Sequence, residues 1–212
     1  MTNLFIAGST TLCIVAASEI LWRRNRVSSE FIRKFIHLSV GCFVALWPWF
    51  LSWHQIELSA VIFVLAMAAI GLIKPLSRLL SVSDSSKTLN RHTVGEFFYT
   101  LGFLSVSFIT HDRYIFMTAL LHLAISDTLA AFVGLTFKKH NIYYKVFGSK
   151  KSLCGSLTFM LSSIVLVAIY ISLSHSNWSV IFYVPVTATV LENFGLYGSD
   201  NILVPFGVAL LL

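Results

Sequence analysis

Seven apolar segments constrain the fold of this chain more than any other feature of its sequence. They run roughly over residues 3–22, 36–53, 56–73, 93–110, 114–137, 156–175 and 178–195, and a half-span follows at 202–212. A helix needs about 17–25 mostly apolar residues to cross the hydrocarbon core of a bilayer. Because an isolated segment in lipid must satisfy its own backbone hydrogen bonds, each span must be helical. The sequence therefore predicts an all-α transmembrane bundle of about seven spans with a short C-terminal helix.

The composition favours the same fold class. Of the 212 residues, 57% are hydrophobic and 11% are charged, whereas about a quarter of the residues in a typical soluble domain are charged. We therefore expect one integral membrane domain over residues 1–212, with no room for a separate soluble domain. Any chemistry must then use the helix ends and the short loops.

The distribution of basic residues predicts the orientation in the membrane. The connections after the first, third and fifth apolar segments hold fourteen of the fifteen lysines and arginines. Basic loops stay on the cytoplasmic side of a membrane. We therefore expect these three loops in the cytoplasm and the N-terminus outside. The chain is predicted to be a multi-pass protein of a bacterial inner membrane, or of the endoplasmic reticulum or plastid envelope in a eukaryote.

With this orientation, several ionisable residues meet at the cytoplasmic face. Asp127 lies in the inner half of the fifth span, where a charged group costs a few kcal/mol and usually turns toward the protein interior. The other polar residues expected at this face are Arg33, Lys34, His37, Glu96, Glu192, Asp200 and Asn201. The alternative for Asp127 is a structural ion pair, and the alternative for the basic residues of the second span is a collar facing lipid headgroups.

A basic loop with a turn of small residues precedes the sixth span. Its turn carries Lys150, Lys151 and Ser152, followed by Gly155 and Ser156. Lysines supply charge to a phosphate, and the N-terminus of a helix, which we expect Ser156 to cap, attracts anions. The alternative is a topology-determining loop that binds anionic lipid headgroups. We expect no nucleic-acid partner, because topology already accounts for the basic loops.

Carboxylates, lysines and a helix N-terminus at a membrane surface suit phosphoryl or nucleotidyl transfer. Mg²⁺ binds through one or two carboxylates together with substrate phosphates, and phosphoryl transfer depends on positioning and charge neutralisation. The candidate metal ligands are Asp127, Glu192 and Asp200. The candidate catalytic residues are Asp127, Glu96 and His37, and either Asp127 or Glu96 would take the proton of an acceptor hydroxyl.

Five short motifs follow one another from about residue 30 to residue 207. They are Arg33-Lys34-x-x-His37-x-x-x-Gly41, Gly95-Glu96-x-x-Tyr99, Asp127-Thr128-x-Ala130-Ala131-x-x-Gly134, Lys151-Ser152-x-x-Gly155-Ser156 and Asp200-Asn201-x-x-Val204-Pro205. In this order they resemble the family of CTP-dependent lipid-alcohol kinases, which includes phytol kinase, dolichol kinase and the yeast-type diacylglycerol kinase. Many bacterial members of that family carry the label phosphatidate cytidylyltransferase.

The resemblance implies CTP as the phosphate donor and assigns roles by position. The resemblance implies that Lys151, Ser152, Gly155 and Ser156 form the family's nucleotide-phosphate turn, and that Asp127 is its essential acid. The chain departs from the common pattern at Ser126, where glycine is usual, and at Lys138.

We expect a membrane-embedded kinase that phosphorylates a lipid alcohol of the phytol or polyprenol type, or diacylglycerol. The alternatives are a cytidylyltransferase that makes CDP-diacylglycerol from phosphatidate, and a non-catalytic membrane scaffold or transporter.

Overall fold

The computed structural model of the chain describes residues 2–25, 29–72, 86–139, 141–147 and 149–212, and these residues are mostly helical. The helices are α1 (Thr2–Asn25), α2 (Ser29–Ala45), α3 (Trp53–Leu72), α4 (Ser86–Ile109), α5 (Arg113–Leu121), α6 (Asp127–Thr136), α7 (Leu153–Ser174), α8 (Val180–Phe194) and α9 (Asp200–Leu211). A 3₁₀-helix, Trp47–Trp49, follows α2, and a π-helical segment, His122–Ser126, joins α5 to α6. Two strands, β1 (Tyr143–Val146) and β2 (Ser149–Ser152), precede α7.

Four helical stretches within the described residues are long and apolar enough to cross a membrane. They are Phe31–Trp49, Trp53–Ile70, Arg113–Thr136 and Leu153–Ser174. The apolar helices Thr2–Ser18, Val94–Ile109, Val180–Phe194 and Asp200–Leu211 are shorter. The prediction of an all-helical membrane bundle is therefore confirmed in its main feature, while the number of seven spans is not confirmed.

The outer surface of the bundle is apolar. Large side chains such as Phe5, Leu161 and Phe182 are 77%, 64% and 77% exposed. Monomeric soluble proteins rarely expose contiguous apolar surface on this scale. The arrangement is compatible with a membrane protein, in which such side chains contact lipid.

Aromatic side chains and close helix contacts form the interior. The ring of Phe103 on α4 packs edge-on against Trp47 at 5.8 Å and against Phe116 of α5 at 6.1 Å. Helices α4 and α9 touch at Gly102, where a Cβ atom would lie only 2.0 Å from the carbonyl oxygen of Asn201. The absence of a side chain at Gly102 therefore allows α9 to approach α4 closely.

The second predicted span differs from the structure at both ends. The sequence predicted residues 36–53, whereas α2 begins at Ser29 and gives way to the 3₁₀-helix that contains Pro48. The predicted span begins after Arg33 and Lys34 because both are charged, yet both residues lie within helix α2. Proline has no N–H to donate, so the α-helical pattern does not continue through Pro48.

The all-α prediction is wrong in one place, the basic loop, which contains a β-hairpin. Tyr143 pairs with Ser152, and Val146 pairs with Ser149 across a connection of two residues. Phe147, the first of these two, has φ of 46°, in the left-handed region that tight hairpin turns require. The hairpin leads directly into α7.

Candidate active site

Three acidic residues from separate elements line one narrow cleft. Asp127 begins α6, Glu192 lies near the end of α8, and Asp200 begins α9. Asn201 also lines the cleft, and its Nδ2 donates a 2.9 Å hydrogen bond to the carbonyl oxygen of Gly95. The apolar walls are formed by Leu123, Phe159 and Val204.

Lys34 of α2 neutralises Asp127. Its Nζ donates a hydrogen bond to Oδ2 of Asp127, and the two side chains are 7% and 15% exposed. The residues are 93 positions apart in the sequence. The pair therefore joins α2 to α6 at the cleft.

A π-helical segment sets the position of Asp127. The five residues His122–Ser126 widen the helix immediately before α6. Within this segment the buried ring of His122 has Nδ1 2.8 Å from the Thr118 carbonyl oxygen and Nε2 2.8 Å from Ser163 Oγ. A π-turn changes the rotation of all the residues that follow it and is frequent at functional sites. The side of the bundle that Asp127 faces therefore depends on this segment.

Lys151 of β2 forms the second ion-pair group of the cleft. Its Nζ lies 2.6 Å from Oε1 and 2.7 Å from the carbonyl oxygen of Glu192, and 3.8 Å from Oδ2 of Asp200. Burial alone would lower the pKa of Lys151, but the charges of Glu192 and Asp200 outweigh it and raise this pKa above its usual value. Lys151 is therefore fully protonated at neutral pH.

The hairpin directs its neighbouring lysines to opposite faces. Successive side chains of a strand alternate between the two sides, and Lys150, which is exposed, lies over the ring of Tyr143 at 4.1 Å from the ring centre. Lys151 therefore contacts the acidic residues that line the cleft, and the structure does not bring Lys150 to them.

Ser152, rather than Ser156, caps the sixth apolar helix. Helix α7 begins at Leu153, and Ser152 Oγ accepts a 3.2 Å hydrogen bond from the backbone N–H of Gly155. The prediction for Ser156 is wrong because the helix begins one turn earlier. Gly155 is buried, and a Cβ there would lie 3.1 Å from the carbonyl oxygen of Ala130.

Ser156 instead belongs to a hydrogen-bond network that fixes the hairpin to α8. The hydroxyl of Tyr144 lies 2.5 Å from Ser156 Oγ and donates to Oδ1 of Asn193 at 2.5 Å. Ser156 Oγ also donates to Asn193 Oδ1 at 3.0 Å. Tyr144 is a site residue that the sequence motifs do not include, and its only signal in the sequence is the short run of β-favouring residues around it.

The remaining predicted residues lie beside the cleft. The guanidinium of Arg33 lies near Gly95 of α4, and its charge acts on both Glu96 and Asp127. Glu96 is half-buried and is not among the residues that line the cleft. His37 is 3% exposed and lies one helical turn beyond Lys34 along α2.

The residues of the cleft fit a divalent cation only together with a bound phosphate group. Among the described residues, no three His, Cys, Asp or Glu side chains form a ready metal-binding group. Mg²⁺ does not need one, since it binds through one or two carboxylates plus phosphates. Within the part of the chain that the structure describes, Oε2 of Glu192 is buried without a hydrogen-bond partner, so it remains available as a ligand. Two lysines already balance most of the charge of the three carboxylates.

Comparison with known proteins identifies one clear relative. The chain is 32% identical over 213 aligned positions to a phytol kinase from Synechocystis sp., and the alignment covers 97% of this chain and 88% of the relative. No protein-family model matches the chain. No solved structure matches it either.

Proposed function

The chain belongs to the lipid-alcohol kinase family that includes phytol kinase, and we propose that it transfers the γ-phosphoryl group of CTP to an isoprenoid alcohol at the cytoplasmic face of a membrane. The relative supports phytol or a similar alcohol as the acceptor. The ordered motifs of the sequence support CTP as the donor. The three basic loops support the cytoplasmic location.

One observation carries the proposal: the carboxylates of two ion-pair groups from distant parts of the chain line the same cleft, and each group brings a lysine to it. Lys34 pairs with Asp127, and Lys151 pairs with Glu192 and Asp200. A cleft with both positive and negative groups suits a nucleotide bound with a cation. The lysines contact phosphate oxygens, and the carboxylates contact the cation.

In the proposed complex each lysine exchanges its carboxylate partner for a phosphate, and the carboxylates bind the cation. The roles of the individual residues follow from this exchange. Lys151, supported by the cap at Ser152, binds the donor phosphates, and Lys34 and Arg33 neutralise the charge on the transferred group. Asp127, Glu192 and Asp200 would hold Mg²⁺, which, when bound, supplies positive charge to the phosphate oxygens of the donor. Asn201 positions this end of α9 through its hydrogen bond to α4.

The test is a transfer assay with purified protein in detergent or lipid vesicles. CTP labelled at the γ-phosphate, and then ATP labelled in the same way, is incubated with phytol, a polyprenol, diacylglycerol and phosphatidate in the presence of Mg²⁺. We expect label from CTP on phytol or the polyprenol. Label released as pyrophosphate, with phosphatidate converted to CDP-diacylglycerol, would show a cytidylyltransferase instead. No transfer to any lipid would support the scaffold or transporter alternative.

A matched pair of variants tests the site. Asp127→Asn is expected to lower turnover at least about 100-fold, as removal of a group that stabilises developing charge does. Glu57→Gln is the control, because Glu57 pairs with His111 at 2.8 Å near the start of α3, at the far end of the bundle. This variant should retain turnover. Normal activity of a folded Asp127→Asn protein would contradict the assignment.

A further inference from the structure

The imidazole of His37 is buried inside the bundle. The residue is 3% exposed, and neither Nδ1 nor Nε2 has a partner among the residues that the structure describes. Its ring packs against the ring of Tyr99 at 4.2 Å between centres, and its carbonyl oxygen accepts a 2.9 Å hydrogen bond from the Tyr99 hydroxyl. Buried polar side chains are nearly always hydrogen-bonded. An unpartnered, immobilised imidazole indicates a position that a ligand's polar group completes.

An apolar cavity lies beside this histidine. Helices α2, α3, α4 and α5 enclose about 70 Å³ through residues that include Val40, Gly41, Tyr99 and Thr100. Its lining is almost wholly apolar. A cavity of about 150 Å³ in another protein holds a benzene molecule, so this one accommodates a few carbon atoms.

The absence of a side chain at Gly41 allows α2 to approach α4 and the π-helical segment closely beside the cavity. A Cβ atom at Gly41 would lie 2.3 Å from the Tyr99 hydroxyl and 2.6 Å from the Cβ of Ala124 in the π-helical segment.

Both hydroxyl groups of the lining already donate hydrogen bonds: Tyr99 to the His37 carbonyl oxygen, and Thr100 to that of Phe97. A buried ester carbonyl would find no free donor among these groups, which makes its burial unfavourable.

Helix α2 arranges the cleft, the histidine and the cavity in a row. Lys34, His37 and Gly41 are spaced by three and four residues, so they share one face of the helix. With a rise of 1.5 Å per residue, His37 lies about 4.5 Å and Gly41 about 10.5 Å beyond Lys34 along the axis. A group held at His37 therefore lies between the ion pair of Asp127 and the apolar cavity.

We propose that the cavity binds the first carbon atoms of the acceptor alcohol and that His37 contacts its hydroxyl group. The inference rests on the proposed kinase function. The ligand class is a primary alcohol on a slender hydrocarbon chain. A diacylglycerol does not fit, because ester groups would stand next to its hydroxyl-bearing carbon.

The chemical step balances with His37 as the proton acceptor. The hydroxyl oxygen forms a bond to the γ-phosphorus, the bond from that phosphorus to the bridging oxygen breaks, and the nucleoside diphosphate leaves with the electron pair. The proton of the hydroxyl passes to the unprotonated ring nitrogen of His37, and from there to solvent.

Filling the cavity tests the binding site. Thr100→Leu and Val40→Leu add carbon atoms to the space, and each is expected to raise KM for phytol about ten-fold, because small volume changes in an apolar pocket have effects of this size. KM for unbranched hexadecan-1-ol should rise less. Ser105→Leu is the control: Ser105 lies on the same helix, donates a similar hydrogen bond to the carbonyl oxygen of Gly102 and does not line the cavity.

A second variant tests the histidine itself. The amide of His37→Gln can bind a hydroxyl group but cannot take its proton, so we expect kcat to fall about 100-fold while KM for CTP is unchanged. The cavity assignment alone would be overturned if the wild type phosphorylates phytol and Thr100→Leu and Val40→Leu have the same KM as the wild type. It would also be overturned if the wild type uses dioctanoylglycerol as well as it uses phytol. Wild-type kcat in His37→Gln would overturn the proton-transfer role. If the wild type phosphorylates no alcohol at all, the kinase function fails, and the inference fails with it.

Discussion

Replacement of Lys151 by methionine separates a structural ion pair from a phosphate contact. The Nζ of Lys151 contacts Glu192 at 2.6 Å and Asp200 at 3.8 Å. Methionine has a similar length and no charge. Lys151→Met therefore leaves two neighbouring carboxylates without their cation.

The size of the effect follows from the burial of the pair. The side chains of Lys151 and Glu192 are 16% and 11% exposed. Removal of one partner from a buried pair costs about 3–5 kcal/mol, and the remaining exposure places this pair at about 3 kcal/mol. For a chain of this size 1 kcal/mol corresponds to about 2–4 °C in Tm, so we expect Tm to fall by about 6–12 °C.

A double variant distinguishes stability from function. In Lys151→Met with Glu192→Gln, one negative charge is removed along with the positive charge, so the cluster regains its original net charge. The second substitution should restore much of the lost stability. A double-mutant cycle on Tm in detergent measures this coupling between the two substitutions. Phosphoryl transfer should not recover, because the double variant lacks both the cation that binds the donor and the Glu192 carboxylate that would hold Mg²⁺.

Two results would refute this reasoning. If Lys151→Met has the Tm of the wild type, the ion pair contributes nothing to stability. If the double variant regains both Tm and turnover, Lys151 serves only to neutralise Glu192, and neither residue contacts the donor or its cation.

Three further predictions concern the hairpin and the helix contacts. Ser152→Ala removes the cap of α7 and should cost about 0.5–2 kcal/mol, measured by thermal unfolding and compared with Ser149→Ala in the same hairpin. Gly102→Ala places a Cβ 2.0 Å from a carbonyl oxygen of α9 and should cost at least about 1–3 kcal/mol, whereas Gly8→Ala, with no atom within 4 Å of the added Cβ, should leave Tm unchanged or raise it. The raised pKa of Lys151 means that its ion pair stabilises the protein fully below the unfolded-state pKa and is lost as the pH rises through the folded value. The Tm difference between wild type and Lys151→Met should therefore be constant from pH 7 to about pH 10 and shrink above that; a difference that shrinks below pH 9 would contradict this pH dependence.

The sequence was sufficient to indicate which end of the bundle holds the polar residues, because helix order and charge act at the scale of whole spans. Once alternate loops are assigned to one side, the inner ends of the spans must share a face. Asp127, Glu192 and Asp200 are therefore expected at the same end of the bundle, and the rotation of each helix decides that they line one cleft.

The sequence was not sufficient to predict the pairing of these residues. That Lys34 rather than Arg33 contacts Asp127 depends on the rotation of α2 and on the π-helical segment before α6, and neither leaves a clear pattern in the residue types. The hairpin was missed because its strands have four residues each, too few for alternation to stand out among the lysines. The beginning of α7 was misplaced because two serines, Ser152 and Ser156, offered equally good caps.

The short hairpin makes chain length, more than residue type, the sensitive quantity in this loop. Insertion or deletion of a single residue within β2 would exchange the faces of the two lysines, turning Lys150 inward and Lys151 toward solvent. Because the insertion or deletion leaves both lysines in place, a scan of substitutions would not test this dependence on chain length. An insertion of two residues would restore the original faces. Activity measured across a series of insertions should therefore be lost with one added residue and partly recovered with two.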